Sequence, residues 1–491
     1  MSTTTASGTD STSVAPDSLR KQRILENAER EAPRRAQWRR RARFFHEEDN
    51  RYLRYLIPPG STVLELGCGN GDTLAALAPK RGVGVDFSRG MIDAARARHP
   101  DLEFHVGDIE DPATLERLDG PFDVILVVDT LGSLDDCQAF FDRLHRLCKR
   151  DTRLVVGYFS HLWQPVLRTA EWLGLRMPET AQNVISPADV CLLAGLAGFD
   201  PISTERRVLC PARLLGVGRL LNRFLSPLPG IRHLSLRHYV VCRSLHHIGD
   251  DNLTSATVVI PARNERGNIE AAVQRLPRFC SDIEVIFVEG HSTDGTYGEI
   301  ERVRQFYPQY DIKVLRQSGK GKADATFLGF AAARGDVLII LDADLTMPPE
   351  QLPKFWAAIR SGNGEFINGS RLVYPMEDEA MRFLNLVANK LFSYAFSWLL
   401  NQRFTDTLCG TKVIRRTDYQ RLNAGRAYFG DFDPFGDFDL IFGATKLSLK
   451  CVDLPIRYES RRYGETQISR FRHGFILLRM VVFAFFKVKA L

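Results

Sequence analysis

The triplet Asp342-Ala343-Asp344 directly follows the apolar run Val337-Leu338-Ile339-Ile340-Leu341. Such a run reads as a buried parallel strand, and the carboxyl ends of parallel strands are where open α/β sheets bind ligands. Two carboxylates one residue apart repel each other unless a positive charge lies between them. A hard cation carrying diphosphate oxygens is the usual one. Alone, the triplet is equally compatible with a solvated turn, so its neighbours decide its meaning.

A second constellation is Glu65-Leu66-Gly67-Cys68-Gly69-Asn70-Gly71, placed between a strand-like stretch at 63–66 and a helix at 72–78. Glycines at that junction let the backbone approach a ligand closely. Asp86 ends the next strand, where a carboxylate can accept hydrogen bonds from both ribose hydroxyls. Asp108 in Val106-Gly107-Asp108-Ile109 adds a further acid, so the set points to a nucleoside site. The spacing is G-x-G-x-G with Glu65 ahead of it, which differs from the dinucleotide pattern G-x-G-x-x-G. Asp123 and Asp129 flank a strand read at 122–129; Asp129 is a candidate base or substrate contact, with a plain strand-terminating acid as the alternative. His161 and Trp163, after the following strand, are candidates for the substrate pocket.

The elements that must position these residues alternate as strand and helix. Strand-like runs at 63–66, 83–85, 124–128 and 154–156 are followed by a last strand at 238–242 and a polar stretch. The alternation then restarts with strands at 258–260, 285–288, 313–315 and 337–341. The expected fold class is therefore α/β in two different domains without an internal repeat. Residues 1–44 read as a flexible leader and basic helix, 45–246 as the first domain, 247–253 as a linker, and 254–491 as the second domain. Within the first, residues 212–237 read by default as an amphipathic helix pair covering the sheet, with a lid or a membrane-touching element as alternatives.

At 491 residues the chain is too long for one core, and 44% hydrophobic with 25% charged residues leaves only its ends as candidates for disorder. A net charge of +6 is too modest to indicate nucleic acid. Arg20, Lys21, Arg23, Arg30, Arg34, Arg35, Arg39, Arg40, Arg41 and Arg43 crowd one segment, which reads as a solvated face or as a surface for anionic lipid or an acidic partner. Nine cysteines without paired spacing indicate neither a zinc site nor a disulfide framework and point to a reducing, cytosolic compartment. The apolar stretch 475–486 is interrupted by Arg479 and is shorter than the ~20 residues a spanning helix needs. With Lys487 and Lys489 beside it, it suits an interfacial helix, or else a helix packed on its own domain. Leu384, Val387, Leu391, Tyr394, Ala395, Trp398 and Leu399 recur at helical spacing and pose the same choice.

On the glycine loop, Asp86 and Asp108, residues 52–243 resemble the class I methyltransferases that use S-adenosylmethionine (SAM), with a Rossmann-like sheet. The resemblance implies that Glu65, Gly67, Gly69 and Gly71 belong to the cofactor loop, with the backbone around Gly67 and Gly69 holding the methionine part. Asp86 would take the ribose, and Asp108 with Ile109 the adenine.

Residues 254–487 resemble family 2 glycosyltransferases of the GT-A, nucleotide-sugar-binding fold, and among them the dolichol- or polyprenyl-phosphate sugar transferases. The resemblance rests on the order of Pro261-Ala262-Arg263-Asn264-Glu265, Gly319-Lys320-Gly321-Lys322 and Asp342-Ala343-Asp344. Three later segments extend it: residues 405–412, Asp437-Phe438-Asp439-Leu440, and residues 461–467. It implies that Pro261, Arg263 and Glu265 form the nucleotide pocket and that Asp342 and Asp344 bind Mg²⁺ or Mn²⁺. Lys320 would assist at the diphosphate and Arg461 would meet the acceptor phosphate. The family carries two aspartates after its second strand, whereas this chain has Glu289, which can replace the first, and then Gly290. Asp437 and Asp439 occupy the region of the general base that a hydroxyl acceptor requires; a phosphate acceptor needs none.

The two resemblances together imply a bifunctional enzyme on the cytoplasmic face of the membrane. It would transfer methyl from SAM, and a sugar from a nucleotide donor to a polyprenyl phosphate. Transfer to a glycan hydroxyl, with Asp437 or Asp439 as base, is the alternative within enzymes. A membrane-associated scaffold with one inactive domain is the alternative outside them.

Overall fold

The computed structural model describes residues 18–180, 182–249, 252–374, 383–430, 436–461, 463 and 470–491. The expected leader at 1–17, and Arg462 and residues 464–467 of the last motif, lie outside them. The chain divides into two compact units, Met1–Ser226 with Gly230–His246, and Pro227–Pro229 with His247–Leu491.

The first unit contains β1 (Thr62–Leu66), β2 (Arg81–Asp86), β3 (Glu103–Val106), β4 (Val124–Val128), β5 (Arg153–Phe159), β6 (Phe199–Arg207) and β7 (Arg237–Ser244), in the order β3-β2-β1-β4-β5-β7-β6. The five strands from β3 to β5 run parallel, while β7 is antiparallel to both β5 and β6. Apolar stretches such as Val-Ile-Leu-Val-Val in β4 are buried because helices cover a parallel sheet on both faces. The strands β3 and β6 escaped sequence reading because they sit at the two edges and carry polar residues, as in Glu103-Phe104-His105-Val106.

Residues 18–44, expected as a basic helix with a solvated face or a partner surface, are helical. They form the helices Leu19–Glu31, Arg35–Arg41 and the start of Arg43–Leu56. Part of their charge points inward: Lys21 is buried between Asp108 at 2.5 Å and Glu110 at 2.8 Å, and Arg39 pairs with Asp72 at 3.2 Å. Arg23, Arg30, Arg34, Arg40, Arg41 and Arg43 remain exposed. In place of the expected helix pair at 212–237 stand a turn at Leu214–Gly216, one short continuous helix made of Val217–Leu220 and Leu221–Leu225, and a turn at Ile231–Leu234. Gly216 and Gly230, both at positive φ, interrupt any longer helix.

Arg237, with no exposed surface, anchors the third N-terminal helix. Its guanidinium donates to Asp49 at 2.9 and 3.2 Å and also pairs with Asp129, while Tyr239 donates to Asp49.

The second unit contains β8 (Ser255–Ala262), β9 (Asp282–Glu289), β10 (Asp311–Arg316), β11 (Val337–Ile340), β12 (Phe366–Ser370), β13 (Lys412–Arg415) and β14 (Cys451–Pro455). Their order is β10-β9-β8-β11-β13-β12-β14. The first four are parallel, β13 runs antiparallel to both neighbours, and β12 is parallel to β14. Leu341 falls just outside β11. In each sheet the strand order reverses beside a central strand, between β1 and β4 and between β8 and β11, the position at whose carboxyl edge open α/β sheets bind ligands.

Two helices carry the apolar runs of this unit. In Phe383–Leu400, Phe396 and Leu399 are buried while Val387, Leu391 and Tyr394 form an exposed stripe. The helix Arg470–Ala484 packs against it and exposes Phe475, Leu478 and Val482. The two lysines of the expected basic pair differ in setting. Lys489 is fully buried and donates to Asn401 at 2.6 Å, and Lys487 donates to the Tyr428 carbonyl at 2.9 Å.

Truncating Asp49→Ala leaves a buried guanidinium short of one of its two carboxylates. We expect a loss of about 3 kcal/mol of stability in the first unit, measured by urea denaturation of the whole chain.

Candidate functional site

In the first unit the carboxyl ends of β1, β2, β3 and β4 gather the residues that the sequence singled out. Gly67, Gly69 and Gly71 all have positive φ, and a Cβ at Gly67 would collide with the Thr130 side chain. The Gly69 amide donates to Asp86 at 2.8 Å, which fixes that buried carboxylate against the loop; burial raises its pKa despite this bond and one from Ser88. Asp108 accepts from Lys21, and Ile109 beside it is buried. Glu65 is buried beneath the loop and accepts from the Leu74 amide at 3.1 Å. Burial pushes its carboxyl up to about 8, opposed by Arg39.

The two acids flanking β4 separate. Asp123 bonds Thr62 and Lys149 at the amino edge, so it belongs to the framework. Asp129, at the carboxyl edge, pairs with Arg237 and lines a cavity of about 240 Å³ together with His161. Trp163 instead donates to the Leu234 carbonyl at 2.8 Å.

In the second unit, Asp342 and Asp344 leave the end of β11, and each has a cation as partner. Lys322, at the start of the helix Gly321–Ala332, lies 2.7 Å from Asp342, and Arg461 lies 2.6 Å from Asp344 and 3.4 Å from Glu265. Burial opposes ionisation of Asp342, but Lys322 prevails and holds its carboxyl below the usual range. A Cβ at Gly410 would collide with both Asp342 and Lys322, so the 405–412 segment passes this ion pair at a residue without a side chain. In the same segment Asp406 is buried and holds Arg371 at 2.7 and 2.9 Å.

Asp437 lies 3.8 Å from Lys322 and 3.7 Å from fully buried Lys412. Burial raises its pKa against both lysines. Asp439, two residues on and therefore about 200° around the helix, pairs with Arg426 at 3.0 Å instead. Glu289 closes β9, is buried and accepts from Ser292 at 2.5 Å, while Gly290 faces Gln317. Pro261 and Arg263 stand at the end of β8, with Arg263 exposed, and Glu265 accepts from Asn268 at 2.7 Å. Lys320 is exposed, so the lysine at the acid pair is Lys322. Among the described residues no group of three or more His, Cys, Asp or Glu could by itself hold a metal ion.

Comparison with known families matches residues 35–204 to the family described as Methyltransferase domain and residues 257–422 to Glycosyl transferase family 2. The chain carries a methyltransferase domain and a family 2 glycosyltransferase domain. The folds agree, a methyltransferase fold in the first unit and a GT-A-like fold in the second. The glycosyltransferase half is similar to the dolichol-phosphate mannosyltransferase of Pyrococcus furiosus, 38% identical over 27% of this chain and 38% of that protein. It is also similar to the undecaprenyl-phosphate 4-deoxy-4-formamido-L-arabinose transferase of Pseudomonas fluorescens, 25% identical over 44% of this chain and 61% of that protein. The chain thus spans less than two thirds of either relative. A solved SAM-dependent methyltransferase of Thermotoga maritima is 20% identical and covers 45% of this chain and 99% of its own, with a TM-score of 0.36.

Sequence reasoning placed Lys21 and Arg39 only in the basic run, Lys322 only beside Lys320 as a cation suited to a diphosphate, and Lys412 only within its motif. The basic run at 20–43 was visible, but which of its cations turn inward depends on the docking of the helices. Lys412 lies within β13, where its buried ammonium donates to the Cys409 carbonyl and faces Asp437.

The Glu65 carboxyl gives a pH dependence with a definite sign. The unfolded state gives up this proton near 4.5 and the folded state at about 8, so this group's contribution to stability declines as pH rises between those values and is flat above. Glu65→Gln, which keeps the acceptor for the Leu74 amide, is expected to remove that decline in thermal melts across the same range.

Proposed function

We propose that the protein transfers methyl groups from SAM in its first unit. In its second, it transfers a sugar from a metal-bound nucleotide donor to a polyprenyl phosphate, with inversion. The observation that carries the second activity is the pair Asp342 and Asp344 at the end of β11, each held by a cation from a distant segment.

The donor set suits Mg²⁺ or Mn²⁺: two hard carboxylates, with no third acidic ligand needed when substrate phosphates complete the shell. When bound, such an ion neutralises charge on the departing nucleoside diphosphate. Pro261, Arg263, Glu265 and Glu289 border the nucleotide at the ends of β8 and β9. Lys322 orients Asp342, Arg461 orients Asp344 and meets the acceptor phosphate, and exposed Lys320 reaches the diphosphate. Asp437 is hemmed in by Lys322 and Lys412, which suits an acceptor that is already anionic and needs no base. The relatives named for dolichol-phosphate and undecaprenyl-phosphate acceptors support this choice.

In the first unit, Glu65 and the loop at Gly67, Gly69 and Gly71 receive the methionine part of SAM. Asp86 receives the ribose, and Asp108 with Ile109 the adenine. Lys21, which bridges Asp108 and Glu110, closes the adenine side with the N-terminal helix.

The test is release of nucleoside diphosphate from UDP-, GDP- and dTDP-sugars, with and without polyprenyl phosphate. Asp342→Asn with Asp344→Asn should lower turnover at least about 100-fold while SAM binding, read by calorimetry, stays intact. Asp437→Asn should keep turnover within about tenfold, because the loss of a general base costs about 100-fold or more. A larger drop, with transfer to a glycan hydroxyl, would favour the hydroxyl reading.

Among the described residues no helix is long and apolar enough to cross a membrane. The exposed stripe of Val387, Leu391 and Tyr394 and the neighbouring Phe475, Leu478 and Val482 support contact with the lipid surface that presents the acceptor. Of the basic pair, Lys489 is buried and Lys487 stays at the surface, so the stripe itself is apolar. Leu391→Glu combined with Phe475→Glu should abolish cosedimentation with phosphatidylcholine vesicles without loss of solubility.

A further inference from the structure

The helix Gln164–Trp172 lies in the first unit, and none of its residues is buried. Trp163, just ahead of it, and Leu167 pack against Phe45, Val208 and Leu236. A surface helix ordinarily turns its apolar residues to that side. Here Val166 and Leu173, seven residues apart and so on one face, point outward with Leu175, and Trp172 is 85% exposed. Glu171, the one acid of the helix, is held by Arg176.

Exposed arginines stand at both ends of this helix. At its carboxyl end, Arg41 donates to the Gly174 carbonyl at 2.9 Å. That bond ties the basic helix Arg35–Arg41, in which Arg40 is exposed as well, to the turn that carries Leu173 and Leu175. At its amino end, Trp163 donates to the Leu234 carbonyl at 2.8 Å and so adjoins the segment 206–249, which contains no Asp or Glu. Within that segment Leu214 and Leu215 both have left-handed backbone, and Leu215 is fully exposed. Val217 and Leu220 follow outward on the short helix at 217–225. A hydrogen bond of 3.1 Å between Ser226 and Ser235 holds the end of that helix beside Leu234. Arg213, Arg219 and Arg223 are exposed among these leucines and form no ion pair with any described residue.

Unpaired cations beside protruding leucines and a tryptophan define the kind of partner. A nucleic acid or a polyanionic peptide would satisfy the arginines and leave the leucines and Trp172 in water. A neutral apolar partner would cover the leucines and leave the arginines without counter-charge. An anionic bilayer meets both demands: apolar side chains enter the acyl boundary, Trp sits at headgroup depth and arginines meet lipid phosphates.

We propose that this face of the first unit docks on a bilayer containing anionic lipid. Trp172, Leu175 and Leu215 enter its surface, and Arg40, Arg213 and Arg219 bind the lipid phosphates. The site is separate from the apolar stripe of the second unit and rests on neither transfer reaction.

The experiment uses the full chain carrying Leu391→Glu and Phe475→Glu, so that the stripe of the second unit does not contribute. Cosedimentation is measured with phosphatidylcholine vesicles with and without phosphatidylglycerol. Binding to the phosphatidylglycerol vesicles alone, weakened by salt, is expected. Adding Arg40→Ala, Arg213→Ala and Arg219→Ala should lower the partition constant on the order of 100-fold, since each arginine near an anionic surface contributes roughly fivefold. Adding Trp172→Glu and Leu215→Glu instead should lower it at least about tenfold. Brominated phosphatidylglycerol should quench the tryptophan fluorescence of the same chain, and Trp172→Phe should remove most of that quenching. The substituted positions are exposed, and circular dichroism checks that each variant is folded. No binding by folded protein, equal binding to both vesicle types, binding undiminished in either set of variants, or quenching unchanged by Trp172→Phe would overturn the proposal. Capture by polyglutamate or DNA without vesicle binding would reassign the face to an acidic macromolecule and overturn it as well.

Discussion

Carboxylates collected at the carboxyl edge of a parallel sheet must be neutralised, and in both units the surrounding segments are held by that requirement. Parallel strands all finish on one edge, so acids far apart in the chain converge there. In the first unit these include Asp86, Asp108 and Asp129, and in the second Glu289, Asp342 and Asp344. Their partners come from elsewhere: Lys21 for Asp108, Arg237 for Asp129, Lys322 for Asp342 and Arg461 for Asp344. A buried charge left without its partner is far costlier than the net gain of the pair, so these contacts fix where the outlying segments sit.

The second constraint is close approach. The glycine loop passes Thr130, and Gly410 passes the Lys322–Asp342 pair, at distances that no side chain allows. These glycines bring backbone from one part of the chain against charged or polar groups of another. That explains why a Gly lies between Asp406, which holds Arg371, and Lys412, which reaches Asp437.

The chemistry of the two units differs in how their acids are used. In the second, Asp342, Asp344 and Asp437 are clasped by lysine and arginine, a surround suited to diphosphate and phosphate oxygens. In the first, Asp129 stands partly exposed and shares buried Arg237 with Asp49.

The sequence by itself determined the two α/β halves, the glycine loop, the spaced acids at Asp86 and Asp108, and the Asp342–Asp344 pair. Each of these is written in a few consecutive residues: an apolar run long enough for a strand, then a glycine or an acid where the strand must end. The edge strands β3 and β6 were illegible because an edge needs no apolar alternation. Only the tertiary structure decided that Lys322 rather than Lys320 meets Asp342, and that Asp437 and Asp439 turn to different partners. It also buried Lys489 against Asn401 and docked Lys21 onto Asp108. The physical reason is common to all four. The direction of a long charged side chain is set by which buried opposite charge or carbonyl it can reach, and that depends on packing between segments distant in sequence.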